Sequence, residues 1–217
     1  MKSTLHPRLR GGFSLIELLV VILIIAILMG LTIIGTQYAM AKSFESKSRI
    51  QIKALETGLE NFYKDRMEYP NPSPLTAKGT AGASKELYVA LTGDGITAAD
   101  ITALTDGNPA TLPTWGGTPD GKRETTDELK WSVYLEELMP ASASTSTKAL
   151  QGWINLAAIG TAPIIDAFGN EIQYVCQVPA LATQKNTSYD LWSFGTDSSV
   201  DPGTTDQTKT NKWIKNW

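Results

Sequence analysis

The sequence predicts an α+β fold. One long N-terminal helix, apolar in its first half and amphipathic in its second, packs on a small antiparallel β-sheet near the C-terminus. Three observations carry this. Residues 18–41 run for 24 positions without a charge. Ile52, Leu55, Leu59 and Phe62 then recur at steps of three, four and three, the spacing of one face of a helix. Far downstream, residues 171–178 and 189–194 alternate apolar and polar side chains as strands do.

The uncharged run comes first. At about 1.5 Å per helical residue it spans roughly 36 Å, enough to cross a hydrocarbon core of about 30 Å with some tilt. Glu17 stands at its mouth. A carboxylate there is costly and usually marks function; the competing reading is an interfacial acid in a simple signal anchor, its side chain reaching toward headgroups. Lys2, Arg8 and Arg10 give the preceding segment a charge of +3 with no acid, so that end is expected in the cytoplasm and the bulk of the chain across the membrane. The small residues Gly11 and Gly12 precede the apolar run rather than follow it, unlike an ordinary secretory cleavage site.

Gly12-Phe13-Ser14-Leu15-Ile16-Glu17-Leu18 resembles the leader junction of type IV pilins and type II secretion pseudopilins. The resemblance implies cleavage between Gly12 and Phe13 by a prepilin peptidase and N-methylation of Phe13. It also implies a pairing of Glu17 with the Phe13 amine of a neighbouring subunit. Such a pairing has a physical basis, because a carboxylate in apolar surroundings needs a cationic partner. Gly30 and Gly35 lower helix propensity within the span. No proline occurs there, although many members of the family carry one.

Beyond the span the helix continues. Lys53, Glu56, Glu60 and Lys64 occupy the faces left by the apolar stripe, and Gly58 costs a tolerable ~1 kcal/mol. Tyr69-Pro70-Asn71-Pro72 ends the helix, since proline lacks an N–H and restricts its predecessor. A helix from Phe13 to about Arg66 would measure about 80 Å, the stem of the lollipop that the family resemblance implies. The segment 61–70 resembles the helix end of pseudopilins in particular.

The middle of the chain is harder to read. Residues 84–91 are expected as a short helix capped by Ser84 and ended by Gly93. Residues 126–139 are expected as a second, with Leu129, Tyr134, Leu135 and Leu138 near one side and Trp131 beside them. The Ser/Thr/Ala run over 141–148 is expected as a surface loop. By the resemblance this block is the family's variable region, enlarged here.

Order returns at Asp166-Ala167-Phe168-Gly169-Asn170, a turn entry in which Gly-Asn supplies positive-φ positions. With Gln173-Tyr174 and the segment 189–197 it resembles the C-terminal signature of the major pseudopilin. Cys176 is the chain's one cysteine, which rules out an intrachain disulfide; its alternation with Tyr174 and Val178 reads as a buried thiol. The resemblance implies one structural Ca²⁺ held in the C-terminal loop, with Asp197 matching the first acidic ligand and Asp201 and Asp206 as further candidates. A solvated acidic turn is an equal alternative. Trp213 and Trp217 are expected to pack the tail back on the domain.

The organisation is thus a leader over 1–12, a transmembrane and filament-core helix over 13–41, and its amphipathic half over 42–66. A variable region over 67–163 and the C-terminal sheet and loop over 164–217 complete it. Without the leader the net charge moves from −3 to −6, which does not favour a nucleic-acid partner. His6, the one histidine, lies in the leader, so a Ser-His or Cys-His catalytic device is absent from the mature chain. No phosphate loop, zinc spacing or dinucleotide fingerprint appears.

The expected function is therefore structural and not enzymatic. The resemblance implies a single-pass protein of the bacterial inner membrane with its C-terminal domain in the periplasm. There it would polymerise as a homo-oligomer into a short helical filament that drives type II secretion. Expected partners are the prepilin peptidase, other pseudopilins, and an inner-membrane assembly platform with its ATPase. The alternatives are a minor pilin or adhesin acting as a membrane-tethered binding module, and a surface type IV pilin.

Overall fold

A computed structural model of the chain describes residues 14–70, 83–105, 113, 115–140, 153–161, 163–176, 186, 188–197 and 210–216. The predicted class holds: a long N-terminal helix and a small three-stranded antiparallel sheet. The chain divides into two compact units, Met1–Lys42 and Ser43–Trp217. Helix α1, Leu15–Arg66, runs through 52 residues.

In the first unit α1 is apolar around its whole circumference. Every large apolar side chain described there, from Leu15 at 82% to Val20 at 45%, stands exposed. A continuous surface of this kind needs lipid or other helices around it, and α1 is long and apolar enough to cross a membrane. Thr32 satisfies its hydroxyl by donating to the Leu28 carbonyl at 2.7 Å.

In the second unit the stripe Ile52, Leu55, Leu59 and Phe62 is the buried face of α1. Burying four such side chains contributes on the order of 6–12 kcal/mol before entropy is counted. The helix ends when Met67 enters the left-handed region at φ 59°, its N–H donating to the Tyr63 carbonyl at 2.7 Å. Tyr69 and Pro70 follow.

The middle region builds core as well as surface. Trp115, Trp131 and Tyr134 surround Phe62, with ring centroids 5.0 to 6.4 Å away. Helix α2, Ala83–Thr92, and helix α3, Ala98–Thr105, precede this cluster. Ser84 is not the cap expected of it: it lies inside the first turn of α2 and donates instead to Glu171 Oε1 at 2.6 Å. Gly93 does end α2, at φ +78°.

The helix expected over 126–139 is also corrected. Helix α4 stops after Thr126–Lys130, and a separate 3₁₀ turn forms at Glu136–Leu138. Tertiary bonds favour the break. Arg123 Nη2 donates to the carbonyls of Glu128 and Trp131, the Trp131 indole donates to the Ala90 carbonyl at 2.9 Å, and the Tyr134 N–H turns to Leu91. A continuous helix would forfeit these partners. Leu129, placed by periodicity on the buried side, is 64% exposed.

Two glycine loops cross tightly in this region. A Cβ on Gly117 would lie 1.7 Å from the Gly95 carbonyl oxygen. Two carboxylates brace the crossing. Asp94 accepts from Tyr88 Oη and the N–H groups of Asp120 and Gly121, and Glu128 accepts from the N–H groups of Gly95, Glu124 and Thr125. Burial pushes the Asp94 carboxyl above its ordinary value. Burial opposes ionisation at Glu128 too, yet the backbone donors outweigh it and hold that carboxyl low.

The sheet has strand order β1 (Gln173–Cys176), β2 (Tyr189–Ser193) and β3 (Ile214–Lys215), antiparallel throughout. Both faces are covered. Tyr174, Cys176, Tyr189, Leu191 and Ile214 belong to the main core, whereas Val175, Trp192, Phe194 and Trp213 form a second cluster. Trp213 stacks on Trp192 with centroids 6.2 Å apart, which ties the tail to the sheet; Trp217 lies outside the described residues. Cys176 is buried, its thiol donating to the Ser188 carbonyl at 3.7 Å. The remainder of the strand expected to 178 and the run over 141–148 lie outside the described residues.

Candidate functional site

The start of α1 is built by local capping. Ser14 precedes the first helical residue, and its carbonyl accepts from the N–H groups of Glu17 and Leu18 at 3.0 and 3.2 Å. The Glu17 carboxylate reaches back to the Ser14 N–H at 2.9 Å, and Ser14 Oγ accepts from the Ile16 N–H at 3.4 Å. This is the reciprocal logic of a Ser-x-x-Glu capping box. It satisfies an otherwise orphaned donor and sets a negative charge against the positive end of the helix dipole. Sequence reasoning on Glu17 alone misses Ser14, although the spacing carries the signal.

Glu17 therefore points back along the helix toward the junction it follows. Gly12 and Phe13, the expected cleavage pair, lie outside the described residues. The neighbouring surface is formed by Ile16, Val20 and Val21, so the carboxylate is set among apolar groups. Residues 7–33 match the prokaryotic N-terminal methylation motif. That segment contains Gly12, Phe13, Ser14 and Glu17 together. The methylation motif is that of type IV pilin-like leaders, which belong to structural subunits; it implies processing by a prepilin peptidase and assembly into a filament. Neither a curated protein nor a solved structure matches the chain.

The second expected site is the C-terminal loop. Asp197 closes the turn after β2, its N–H donating to the Phe194 carbonyl at 3.2 Å, and Gly195 takes φ +62°. The turn is held from the side. Gly195 N–H donates to Ser193 Oγ at 2.9 Å, and Asn170 Nδ2 donates to the Gly195 carbonyl at 2.7 Å. Asp201 and Asp206 lie outside the described residues, and among the described residues no three His, Cys, Asp or Glu side chains gather. Calcium takes six to eight oxygens. Of the three expected ligands, Asp197 lies among the described residues.

The turn over 166–170 is the hub of this end of the unit. Asp166 Oδ1 accepts from the N–H groups of Phe168 and Asn170 at 2.8 Å each, and Oδ2 accepts from Ser193 Oγ. Gly169 takes the positive φ expected of it, +88°. The turn docks on α1 through Ala167 N–H to Ser48 Oγ at 3.2 Å and Gln51 Nε2 to the Ile165 carbonyl at 3.3 Å.

Proposed function

We propose that the chain is a pseudopilin, a structural subunit that polymerises through its N-terminal helix into a short periplasmic filament serving type II secretion. The observation that carries the reading is Glu17, a capped carboxylate at the entry of an uncharged, exposed, membrane-length helix inside the methylation motif. Cleavage between Gly12 and Phe13 creates a new amine there. In a filament that amine on one subunit meets Glu17 on the next, and the apolar surface of α1 packs against its copies.

Two features favour a pseudopilin over a surface pilin. The single cysteine is buried in β1 and leaves no C-terminal disulfide loop. The 166–170 turn and the 189–197 segment are similar to the major pseudopilin's closing motifs. The basic residues Lys2, Arg8 and Arg10 favour a cytoplasmic N-terminus. The assembly platform, its ATPase and companion pseudopilins complete the machine.

Overexpression beside the assembly genes tests this directly. Filaments are expected, lost in Glu17→Leu, and deletion of the chain is expected to trap secreted proteins in the periplasm. A low-copy chain that never polymerises alone, with secretion intact, contradicts the reading and favours a minor pilin or adhesin.

The C-terminal loop carries a dependent proposal, one structural Ca²⁺ with Asp197, Asp201 and Asp206 as acidic ligands. Its support is the buttressed turn that fixes the backbone at Asp197. Added calcium is expected to raise the melting temperature and a chelator to lower it; Asp197→Ala abolishes both effects.

A further inference from the structure

The fold brings two aromatic rings from distant parts of the chain together at the start of the second unit. Phe44 lies on α1, three residues past the end of the uncharged run. Phe168 lies on the 166–170 turn, and the two rings meet edge to face at 5.6 Å. Both are half-buried. Ser48, accepting from Ala167, locks the turn in this place. Lys47 is exposed and sets its ammonium 5.8 Å from the Phe44 ring centre. Arg49 follows, its side chain 61% exposed and paired with Glu45.

Charge is segregated along the chain in the same sense. Residues 43–53 hold three basic and one acidic side chain, whereas 54–217 hold twelve basic and twenty acidic. Aromatic rings at the end of a membrane-length helix are the composition of a membrane interface on either face, and exposed cations beside them are attracted by anionic headgroups. Lys47 follows the end of the uncharged run by six positions in sequence. The headgroup layer is about 5–8 Å deep on each side of a bilayer, and a lysine that few residues past a span reaches it by snorkelling.

We propose that Phe44, Phe168, Lys47 and Arg49 form a foot on which the domain rests against anionic phospholipid headgroups while the subunit resides in the bilayer. The inference rests on the membrane-anchored reading of α1. The acidic remainder of the domain is repelled by the same surface, so the foot also orients the domain before assembly. The 166–170 turn thereby has a role besides holding the sheet: it supplies the second ring.

Amine footprinting of the full chain in nanodiscs tests the foot. Single copies are reconstituted in phosphatidylcholine discs and in discs containing phosphatidylglycerol, then treated with a neutral acetylating reagent. Modification of Lys47 is expected to fall several-fold in the phosphatidylglycerol discs and to recover at high salt, with Lys130 unchanged as an internal control. Phe168→Ala is expected to weaken the protection. Equal modification of Lys47 in both lipids overturns the proposal while leaving the anchor intact. Protection that arises in phosphatidylcholine discs only when they hold two copies also overturns it, in favour of contact with the acidic face of a second chain. A chain that does not co-elute with discs overturns the anchored reading and the foot together.

Discussion

Asp166 and Ser193 share a buried hydrogen bond that joins the 166–170 turn to the last residue of β2 across 27 positions. The same carboxylate receives the Phe168 and Asn170 N–H groups, so one side chain closes the turn and fastens it to the sheet. Through Ser48 and Gln51 the turn is fastened to α1 as well.

Asp166→Ala leaves three donors without their acceptor in a buried seam. The expected loss is about 3 kcal/mol, read as a lower urea midpoint for the full chain in detergent. Ser193→Ala removes one of the three donors to Asp166 and also the acceptor of the Gly195 N–H, and is expected to cost about 2 kcal/mol.

The glycine crossing makes a contrast within one residue type. Gly117→Ala drives a methyl group into the Gly95 carbonyl, and a destabilisation of about 3 kcal/mol or more is expected. Gly169→Ala meets nothing within 4 Å and suffers only from φ +88°, at about 1 kcal/mol. Thermal melts of the two variants side by side check the order.

Met67 ends α1 in a left-handed conformation at φ 59° while 77% exposed. A non-glycine residue there is strained and its side chain gains little burial in return. Met67→Gly is expected to stabilise the chain by about 0.5–1 kcal/mol, seen as a higher urea midpoint.

Glu86 gives a pH dependence with a definite sign. Burial raises its pKa from 4.5 to about 7, and among the described residues Oε2 has no hydrogen-bond partner. A carboxyl whose folded pKa lies above its unfolded value stabilises the fold below the unfolded pKa. That contribution is lost as pH rises from about 4.5 to about 7. Glu86→Gln is expected to flatten stability across this window and to exceed the parent above it, measured by urea melts at stepped pH.

The sequence shows the two ends of the fold more plainly than its middle. Ile52, Leu55, Leu59 and Phe62 declare a buried helical face because periodicity there acts without competition. β1 and β2 declare themselves by alternation, although every residue of both strands is buried and Val175, Trp192, Phe194 and Trp213 form a second cluster. Between them, α4 ends at Lys130 because Arg123 and Ala90 offer better partners than a continuing helix would. The Gly95–Gly117 crossing depends on two loops meeting in space. Neither is visible in local pattern. At the candidate site, Ser14-x-x-Glu17 is a capping signature legible without a structure, whereas the partnership of Asp166 with Ser193 depends on the register of the sheet.

Intact-mass spectrometry of the chain purified from membranes of its native host tests the central claim most directly. The expected product has its N-terminus at Phe13, carries one methyl group and lacks residues 1–12. A chain that retains Met1 through Gly12, or that is cut after the apolar run instead, contradicts that claim.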